Sequence, residues 1–247
     1  MTIVTTSWDD GDPADLKIAD LLASRGLPGT FYVPMTGYRG RTTLSNSGLK
    51  SLASHGFEVG AHGVSHRTLS LLPPEEIERE VRISKASLEE TLCAPVEMFC
   101  YPRGIYNAQV TRSLVEAGYR GARTTRMLST ELTFDPFEMP TSLQVYPHDK
   151  WTYVRNSAKA RKVSRLLSYL MRFSSAGDWV GLGKAYFDRV ATHGGIWHLY
   201  GHSWEIEERK LWDGLKELLD YVSGRDGVLY ASNGAAVNLC RTGSKCA

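Results

Sequence analysis

Cysteine is scarce in this sequence, and long hydrophobic runs are absent from it. Four cysteines occur without any Cys-x-x-Cys pair, so we expect neither a disulfide framework nor a zinc site built from thiolates. No run approaches the roughly twenty apolar residues that a membrane-spanning helix requires. Residues 1–7 lack the basic start, apolar stretch and cleavage site of a signal peptide. We therefore predict a soluble, cytoplasmic protein with no transmembrane segment.

An excess of charge of one sign is also lacking. The formal net charge is only +2 at pH 7, and no tract of lysine and arginine interleaved with aromatic residues occurs. Because proteins that bind nucleic acid usually carry a strong basic patch, nucleic acid is not an expected partner. The sequence gives no indication of the oligomeric state.

The length and the hydrophobic content predict a single domain with a substantial core. The chain has 247 residues, of which 42% are hydrophobic, and a single α/β barrel of this size is ordinary. Short apolar runs alternate with helical patterns, which is typical of βα units around a parallel sheet.

The predicted strands are short apolar runs that end before a turn or a helix. They are Thr2–Ser7, Thr30–Pro34, Phe57–Ala61, Glu97–Tyr101, Tyr119–Arg123, Met139–Tyr146, Ile196–Tyr200 and Val228–Ala231. The predicted helices have apolar residues at helical spacing and end at a glycine or another helix-terminating signal. They are Pro13–Arg25, Ser47–His55, Pro74–Leu92, Ala108–Ala117 and Glu207–Val222.

Two adjacent carboxylates follow the first strand, in Ser7-Trp8-Asp9-Asp10-Gly11, and His62-Gly63-Val64-Ser65-His66 follows the third. Zn²⁺ accepts carboxylate and imidazole ligands, and a hydrolytic zinc site uses about three protein ligands. Neighbouring side chains of a strand point to opposite sides, so one aspartate can hold the metal while the other faces the substrate. The pattern predicts a metal site with a base beside it at the carboxyl edge of the barrel.

Two later segments also follow strands. Pro102-Arg103-Gly104 is predicted to form a tight turn, which can direct a backbone N–H at a substrate oxygen. In the strand around Ile196–Tyr200, the side chains of His198, Tyr200 and His202 would share one face. His202 lies where the strand ends, and a histidine there can protonate a leaving amine.

In this order, the four segments resemble the motifs of the polysaccharide deacetylase family, the NodB-like carbohydrate esterases of family four. The resemblance spans nearly the whole chain. It implies that residues 1–240 form a catalytic distorted (β/α) barrel of about seven strands, followed by a tail at 241–247. It also implies a divalent metal cofactor, Zn²⁺ first and Co²⁺ or Ni²⁺ as alternatives.

Matched residue by residue, the resemblance makes Asp9 the general base and Asp10, His62 and His66 the metal ligands. A further family motif matches Gly118-Tyr119-Arg120-Gly121-Ala122-Arg123.

Two departures from the family pattern concern the support of the base. The arginine that opens the third family motif falls at Cys100, and Arg103 is the candidate substitute from a shifted position. The Asp-Trp motif of the family is not found in residues 124–147.

The general acid has two candidates. The distance from the Gly-Gly pair favours His202, as in relatives that hydrolyse small amides, whereas alignment on the shorter polysaccharide-type strand favours His198. We assign His202, because a strand end suits an acid that must reach solvent. The side chains predicted to bind the substrate are Trp8, Pro102, Arg103, Tyr106, His148, His198, Tyr200 and Trp204.

The predicted function is that of a metal-dependent carbohydrate N-deacetylase. Its substrate would be an N-acetyl amino sugar, as a nucleotide-linked or lipid-linked precursor of a bacterial surface polysaccharide. One alternative is an allantoinase-like hydrolase of a small cyclic or linear amide, since such relatives share the spacing to His202. The other is a catalytically inactive carbohydrate-binding relative, which the missing arginine and the missing Asp-Trp motif suggest.

Overall fold

One parallel sheet organises the computed structural model of the protein, which describes residues 1–159 and 177–243. Its strands are β1 (Thr2–Asp9), β2 (Thr30–Val33), β3 (Glu58–Ala61), β4 (Met98–Cys100), β5 (Gly121–Arg123), β6 (Leu143–Gln144), β7 (Gly195–Gly201) and β8 (Val228–Tyr230). The strand order is β5-β4-β3-β2-β1-β7-β6, and β8 pairs with the first residues of β1. All these pairs are parallel.

Helices follow most of the strands. They are α1 (Asp15–Ala23), α2 (Asn46–Ser54), α3 (Pro74–Leu92), α4 (Ala108–Glu116), α5 (Lys150–Lys159), α6 (Trp179–His193), α7 (Ser203–Glu208), α8 (Trp212–Val222) and α9 (Asn233–Gly243). Single 3₁₀ turns lie at Tyr38–Gly40, Leu69–Leu71, Pro102–Gly104 and Pro136–Glu138. None of the described helices is long and apolar enough to cross a membrane.

The sheet curls until its two ends meet. At the β5 end, Met139 bridges Arg123 in parallel, and its backbone N–H donates to the carbonyl oxygen of Ala122 at 2.9 Å. The same segment continues into β6, where Ser142 N–H donates to His198 O at 2.8 Å before β6 pairs with β7. These contacts confirm the predicted α/β fold, a distorted (β/α) barrel, with the short β8 as an additional strand.

Alternation along β1 decides which side chains enter the barrel. All eight residues of β1 are buried. Ile3 packs in the cluster that fills the barrel with Tyr32 and Met98, while Val4 and Trp8 pack in the larger core between the sheet and the helices. Since successive side chains of a strand alternate, Asp9 has the same orientation as Ile3 and ends the strand on the inside of the barrel.

Two predicted elements differ from the structure, and one helix is additional. The helix predicted at Glu207–Val222 is confirmed only over Trp212–Val222, because Lys210, whose φ of 56° belongs to the left-handed region that ends a helix, separates α7 from α8. Helix α6 was not predicted, since it contains glycines, which are poor helix formers. Of the strand predicted at Met139–Tyr146, only Leu143–Gln144 is strand.

The carboxyl-terminal helix also lacked a prediction. Helix α9 runs to Gly243, past the predicted domain end at residue 240. Residues 244–247 lie outside the described residues, so the predicted tail stays a prediction.

Glycine at position 60 allows β3 to lie close to its neighbours. A Cβ there would lie 2.5 Å from the ring of Tyr32 and 2.9 Å from the carbonyl oxygen of Met98. We therefore predict that Gly60→Ala lowers the free energy of unfolding by about 1–3 kcal/mol, as overpacked cores do, in urea denaturation. Gly48→Ala is the control, because its methyl group would lie 3.1 Å from the movable end of Leu44 and at ordinary contact distance, 3.6 Å, from Ser45. Equal losses in the two variants would contradict the prediction.

Candidate active site

A cavity of about 330 Å³ opens at the carboxyl edge of the sheet. It is lined by all five residues to which the sequence assigns catalysis or metal binding: Asp9, Asp10, His62, His66 and His202. They come from the ends of β1, β3 and β7 and from the loops that follow these strands. Parallel strands end at one edge of a sheet, so the barrel brings together residues that are far apart in sequence.

The two adjacent aspartates separate where β1 ends. Asp9 is the last residue of the strand, whereas Asp10 has a φ of 76° and turns away from the strand direction. As a result, Oδ1 of Asp10 lies 3.2 Å from Nε2 of His66 and 3.6 Å from Nε2 of His62. All three side chains are buried.

Each group of this cluster is oriented by a further contact. Nδ1 of His62 lies 2.7 Å from the carbonyl oxygen of Cys100. Donation by Nδ1–H to this oxygen leaves the lone pair on Nε2 toward Asp10. Burial lowers the pKa of His62 to about 4, so its ring is neutral at pH 7. The indole Nε1–H of Trp204 donates to Oδ2 of Asp10 at 2.9 Å, which leaves Oδ1 toward the histidines.

The cluster fits a divalent metal ion. Oδ1 of Asp10 is buried and accepts no hydrogen bond from the described residues, and such an oxygen is costly unless a cation is near. Burial raises the pKa of Asp10, but the surrounding histidines lower it below its usual range, so the oxygen is charged. One potential ligand atom each from Asp10, His62 and His66 lies within 4.8 Å of the others. One carboxylate oxygen and two imidazole nitrogens form a donor set typical of catalytic zinc.

A second trio of potential ligands, Asp9, His62 and Cys100, is equally compact. It suits a metal less well, because burial raises the pKa of the Cys100 thiol far above its usual range. In addition, Oδ1 of Asp9 already accepts a hydrogen bond from Arg123. The Asp10 cluster is therefore the candidate metal centre.

Asp9 forms a buried ion pair with Arg123. Nη2 of Arg123 donates to Oδ1 of Asp9, and the arginine is fully buried at the end of β5. Burial would raise the pKa of Asp9, but the charge of Arg123 holds it below its usual range. Asp9 is thus ionised, with its other oxygen 3.9 Å from Nε2 of His202.

Arg123, and not Arg103, provides the cation for Asp9. Arg103 is exposed at the rim of the cavity, while Arg123 is the partner of Cys100 in the register of β4 with β5. The cation that the family pattern places at residue 100 therefore comes from the neighbouring strand. An arginine at the end of a buried strand was the available signal, since it needs a buried counter-charge.

His202 is supported by Glu205, which sequence reasoning missed. Nδ1 of His202 lies 2.7 Å from Oε2 of Glu205. Burial lowers the pKa of His202, but the hydrogen bond with Glu205 and the charges of Asp9 and Asp10 raise it to about 9. His202 is therefore protonated at neutral pH. The spacing from 202 to 205 at the start of a helix could have indicated this pair.

Gln144 links Glu205 to two aromatic side chains and was also missed. Its Nε2 donates to Oε2 of Glu205 at 3.2 Å, and its Oε1 accepts from the hydroxyl of Tyr200 at 2.8 Å. Nε2 of His148 lies 2.9 Å from the same Oε1. The short strand β6 holds Gln144 in place, and the irregular sequence around that strand gave no signal for it.

Four of the predicted substrate-binding residues line the cavity: Arg103, His148, Tyr200 and Trp204. Their substrate contacts remain predictions. Two further lining residues that the sequence did not indicate, Tyr38 and Arg39, follow β2.

The other four predicted substrate-binding residues do not line the cavity: Trp8, Pro102, Tyr106 and His198. His198 is fully buried deeper in the barrel, with Nδ1 2.9 Å from Pro140 O and Nε2 2.9 Å from Ser7 Oγ. Burial lowers its pKa to about 3, so it is neutral and unsuited as an acid. Trp8 faces the helices because Asp9 faces inward.

The remaining two corrections lie at the turn after β4. Pro102 is buried beneath the turn, and the ring of Tyr106 stacks on Tyr101 with 4.3 Å between ring centroids. Neither ring is presented to the cavity.

Comparison with known proteins finds a family resemblance in the first half of the chain. The family model for polysaccharide deacetylase matches residues 2–122, which include β1 to β4 and the candidate metal centre but neither Arg123 nor His202. YxkH of Bacillus subtilis (strain 168), assigned as a polysaccharide deacetylase, is 24% identical over 123 residues, covering 49% of this chain and 44% of YxkH. The match thus spans less than half the length of that relative.

Solved structures extend the likeness of fold to almost the whole chain. A Mycobacterium smegmatis protein assigned as a polysaccharide deacetylase has a TM-score of 0.66 at 16% identity, covering 98% of this chain and 91% of that one. A family four pseudoenzyme from Bacillus anthracis has a TM-score of 0.57 at 13% identity, covering 96% and 66%. At these identities the likeness concerns the fold alone. The chain therefore resembles the polysaccharide deacetylase family in sequence over residues 2–122 and in fold over almost its whole length.

Proposed function

We propose that the protein hydrolyses the N-acetyl group of an amino sugar in a metal-dependent reaction. The observation that carries this proposal is a base and an acid with opposite pKa shifts on either side of one site. Asp9 is held ionised by Arg123, and His202 is held protonated by Glu205. Pairs of groups whose environments separate their pKa values are typical of acid-base catalysis.

The reaction follows from the positions of these groups. Asp10, His62 and His66 would hold a divalent ion, which when bound would supply Lewis acidity to the amide carbonyl and to the attacking water. Asp9 removes one proton from the attacking water while the new C–O bond forms. The backbone N–H of Arg103, in the turn after β4, is the proposed donor to the developing oxyanion.

His202 completes the reaction at the nitrogen. An amide nitrogen leaves poorly as an anion, so it needs a proton as the C–N bond breaks. His202 donates this proton, which yields acetate and the free amine of the sugar. Glu205 stabilises the protonated ring before the transfer and remains beside the neutral ring afterwards.

The substrate is proposed to be a precursor of a bacterial surface polysaccharide. The aromatic rings of Tyr38, Tyr200 and Trp204 at the cavity suit stacking on a sugar.

An inactive relative is the competing proposal, because one protein of this fold is described as a pseudoenzyme. That proposal is suggested by the absence of an arginine at residue 100. The observation against it is the Asp9–Arg123 pair, because Arg123 supplies the missing cation. An allantoinase-like activity has no specific contact in its favour.

The first prediction from the proposed function concerns the metal. Asp10→Ala removes the only carboxylate of the cluster, so we expect the purified variant to lose the bound ion, measured as metal per chain. Trp204→Phe keeps all three ligands but removes the hydrogen bond to Asp10, and we expect the affinity for Zn²⁺ to fall about 10- to 100-fold. Full metal content in Asp10→Ala would show that the centre lies elsewhere.

The second prediction concerns the base. Asp9→Asn should lower kcat for acetate release by about 10²- to 10⁴-fold. Arg123→Gln removes the charge that lowers the pKa of Asp9, so the rise of activity on the acid side of the pH profile should move to higher pH.

A second-site change tests whether the cation itself matters. Because Cys100 and Arg123 are register partners, Cys100→Arg added to Arg123→Gln should shift the profile back toward that of the unmodified protein. Thermal unfolding of each variant checks the fold. An unchanged profile in a folded Arg123→Gln protein would reject the assignment.

The third prediction concerns the acid. Activity requires protonated His202, whose pKa is raised to about 9, so kcat should persist below that pH and decline as the pH rises through it. Glu205→Gln removes a contact that raises this pKa, and the decline should begin at lower pH. Glu207→Gln, on the exposed face of the same helix, is the control and should leave the decline in place. A decline that does not move in Glu205→Gln would contradict the role of His202.

A further inference from the structure

Left-handed backbone conformations concentrate at the cavity. Among the described residues, seven that are not glycine have positive φ: Asp10, Arg39, His66, Cys93, Arg103, Leu128 and Lys210. Four of these, Asp10, His66, Arg39 and Arg103, line the cavity. Such conformations are unfavourable for side chains with a Cβ and cluster at functional sites. Two of the four belong to the metal cluster, and the other two are arginines.

The carboxylates of the cavity already have counter-charges. Asp9 pairs with Arg123, Glu205 pairs with protonated His202, and Asp10 belongs to the metal cluster. No carboxylate of the cavity wall is therefore left to balance a further cation.

Arg39 and Arg103 are cations without such a balance. In the described part of the chain, neither guanidinium has a carboxylate within ion-pair distance, and the one ring contact of Arg39 is with Tyr38 at 5.2 Å. Nearby arginines do have partners, since Arg41 pairs with Asp12 at 3.8 Å and Arg126 pairs with Glu138 at 3.0 Å. Both unpaired arginines are exposed at the cavity, where a ligand can reach them.

Their places in the fold make them a pair. Arg39 follows β2 and Arg103 follows β4, so they lie on the loops to either side of the loop after β3 that carries His62 and His66. Two positive charges thus flank the cluster that would hold the amide.

From these observations we propose that Arg39 and Arg103 bind a phosphate group carried by the amino-sugar substrate. This inference rests on the proposed function and narrows its substrate to phosphate-bearing sugars. A guanidinium donates to two oxygens at once. One arginine is enough for the two oxygens of a carboxylate, whereas two arginines suit the three or more oxygens of a phosphate.

The test compares three substrates in acetate release: N-acetylglucosamine, its 1-phosphate and a carboxylate-bearing N-acetylhexosamine uronate. With the metal-loaded protein, we expect KM for the phosphate ester to be at least about tenfold below that for the neutral sugar, since charge-assisted contacts contribute such factors. The advantage should shrink as salt is added, because screening weakens exposed charge pairs. Equal KM values for the neutral and the phosphorylated sugar would overturn the proposal, as would a lower KM for the uronate.

Asparagine is the suitable replacement, because it tolerates the left-handed conformation and carries no charge. Arg39→Asn and Arg103→Asn should each reduce the preference for the phosphorylated over the neutral sugar, as a ratio of kcat/KM values, about tenfold. The matched control is Lys210→Asn, an exposed cation with a φ of 56° outside the cavity, which should not change this ratio. A ratio that falls equally in the control would overturn the proposal. If none of the sugars releases acetate, the proposed function fails instead, so the two failures are distinct.

Discussion

The buried ion pair between Asp9 and Arg123 is the constraint on which the site depends. Both side chains are shut off from water, and a charge in such a place is strongly destabilising without its partner. The pair joins β1 to β5, which are four positions apart in the sheet order. The two strand ends can meet only because the sheet curls, and the bridge of Arg123 to Met139 is part of that closure. The closure of the barrel therefore also brings Asp9 to the cation that keeps it ionised.

The same pair explains how two neighbouring aspartates have different roles. Asp9 remains in the strand direction and finds a fixed cation within the barrel, whereas Asp10 leaves that direction at a φ of 76° and faces the imidazoles of His62 and His66. Arg123 lowers the pKa of Asp9 through Oδ1, while Oδ2 accepts a weak hydrogen bond from the Cys100 thiol at 3.8 Å and lies 3.9 Å from Nε2 of His202. Asp10, beside two imidazole rings, is instead placed as a candidate metal ligand. Adjacent positions in sequence thus yield unlike chemistry through a single backbone turn.

Local spacing was sufficient to predict the groups that meet at the edge of the sheet. Asp9, Asp10, His62, His66 and His202 each follow a recognisable strand, and parallel strands end at a common edge. The supporting groups depend on information that spacing does not contain. The role of Arg123 follows from the register of β4 with β5, and Gln144 lies on a two-residue strand. Alternation correctly placed His198 on the same face as Tyr200. It could not give the depth of His198 in the barrel, and this full burial keeps the imidazole neutral.

The register of Cys100 and Arg123 bears on how the family motifs are interpreted. An arginine missing from a motif would leave a buried carboxylate unpaired, and such a residue would be protonated or lost. In this chain Asp9 is kept and ionised, because the position directly across the ladder supplies the cation. What the site requires is a positive charge at one place in the barrel, and two neighbouring strands can each reach that place. The absence of the motif residue is therefore weak grounds for inferring an inactive protein when its ladder partner is an arginine.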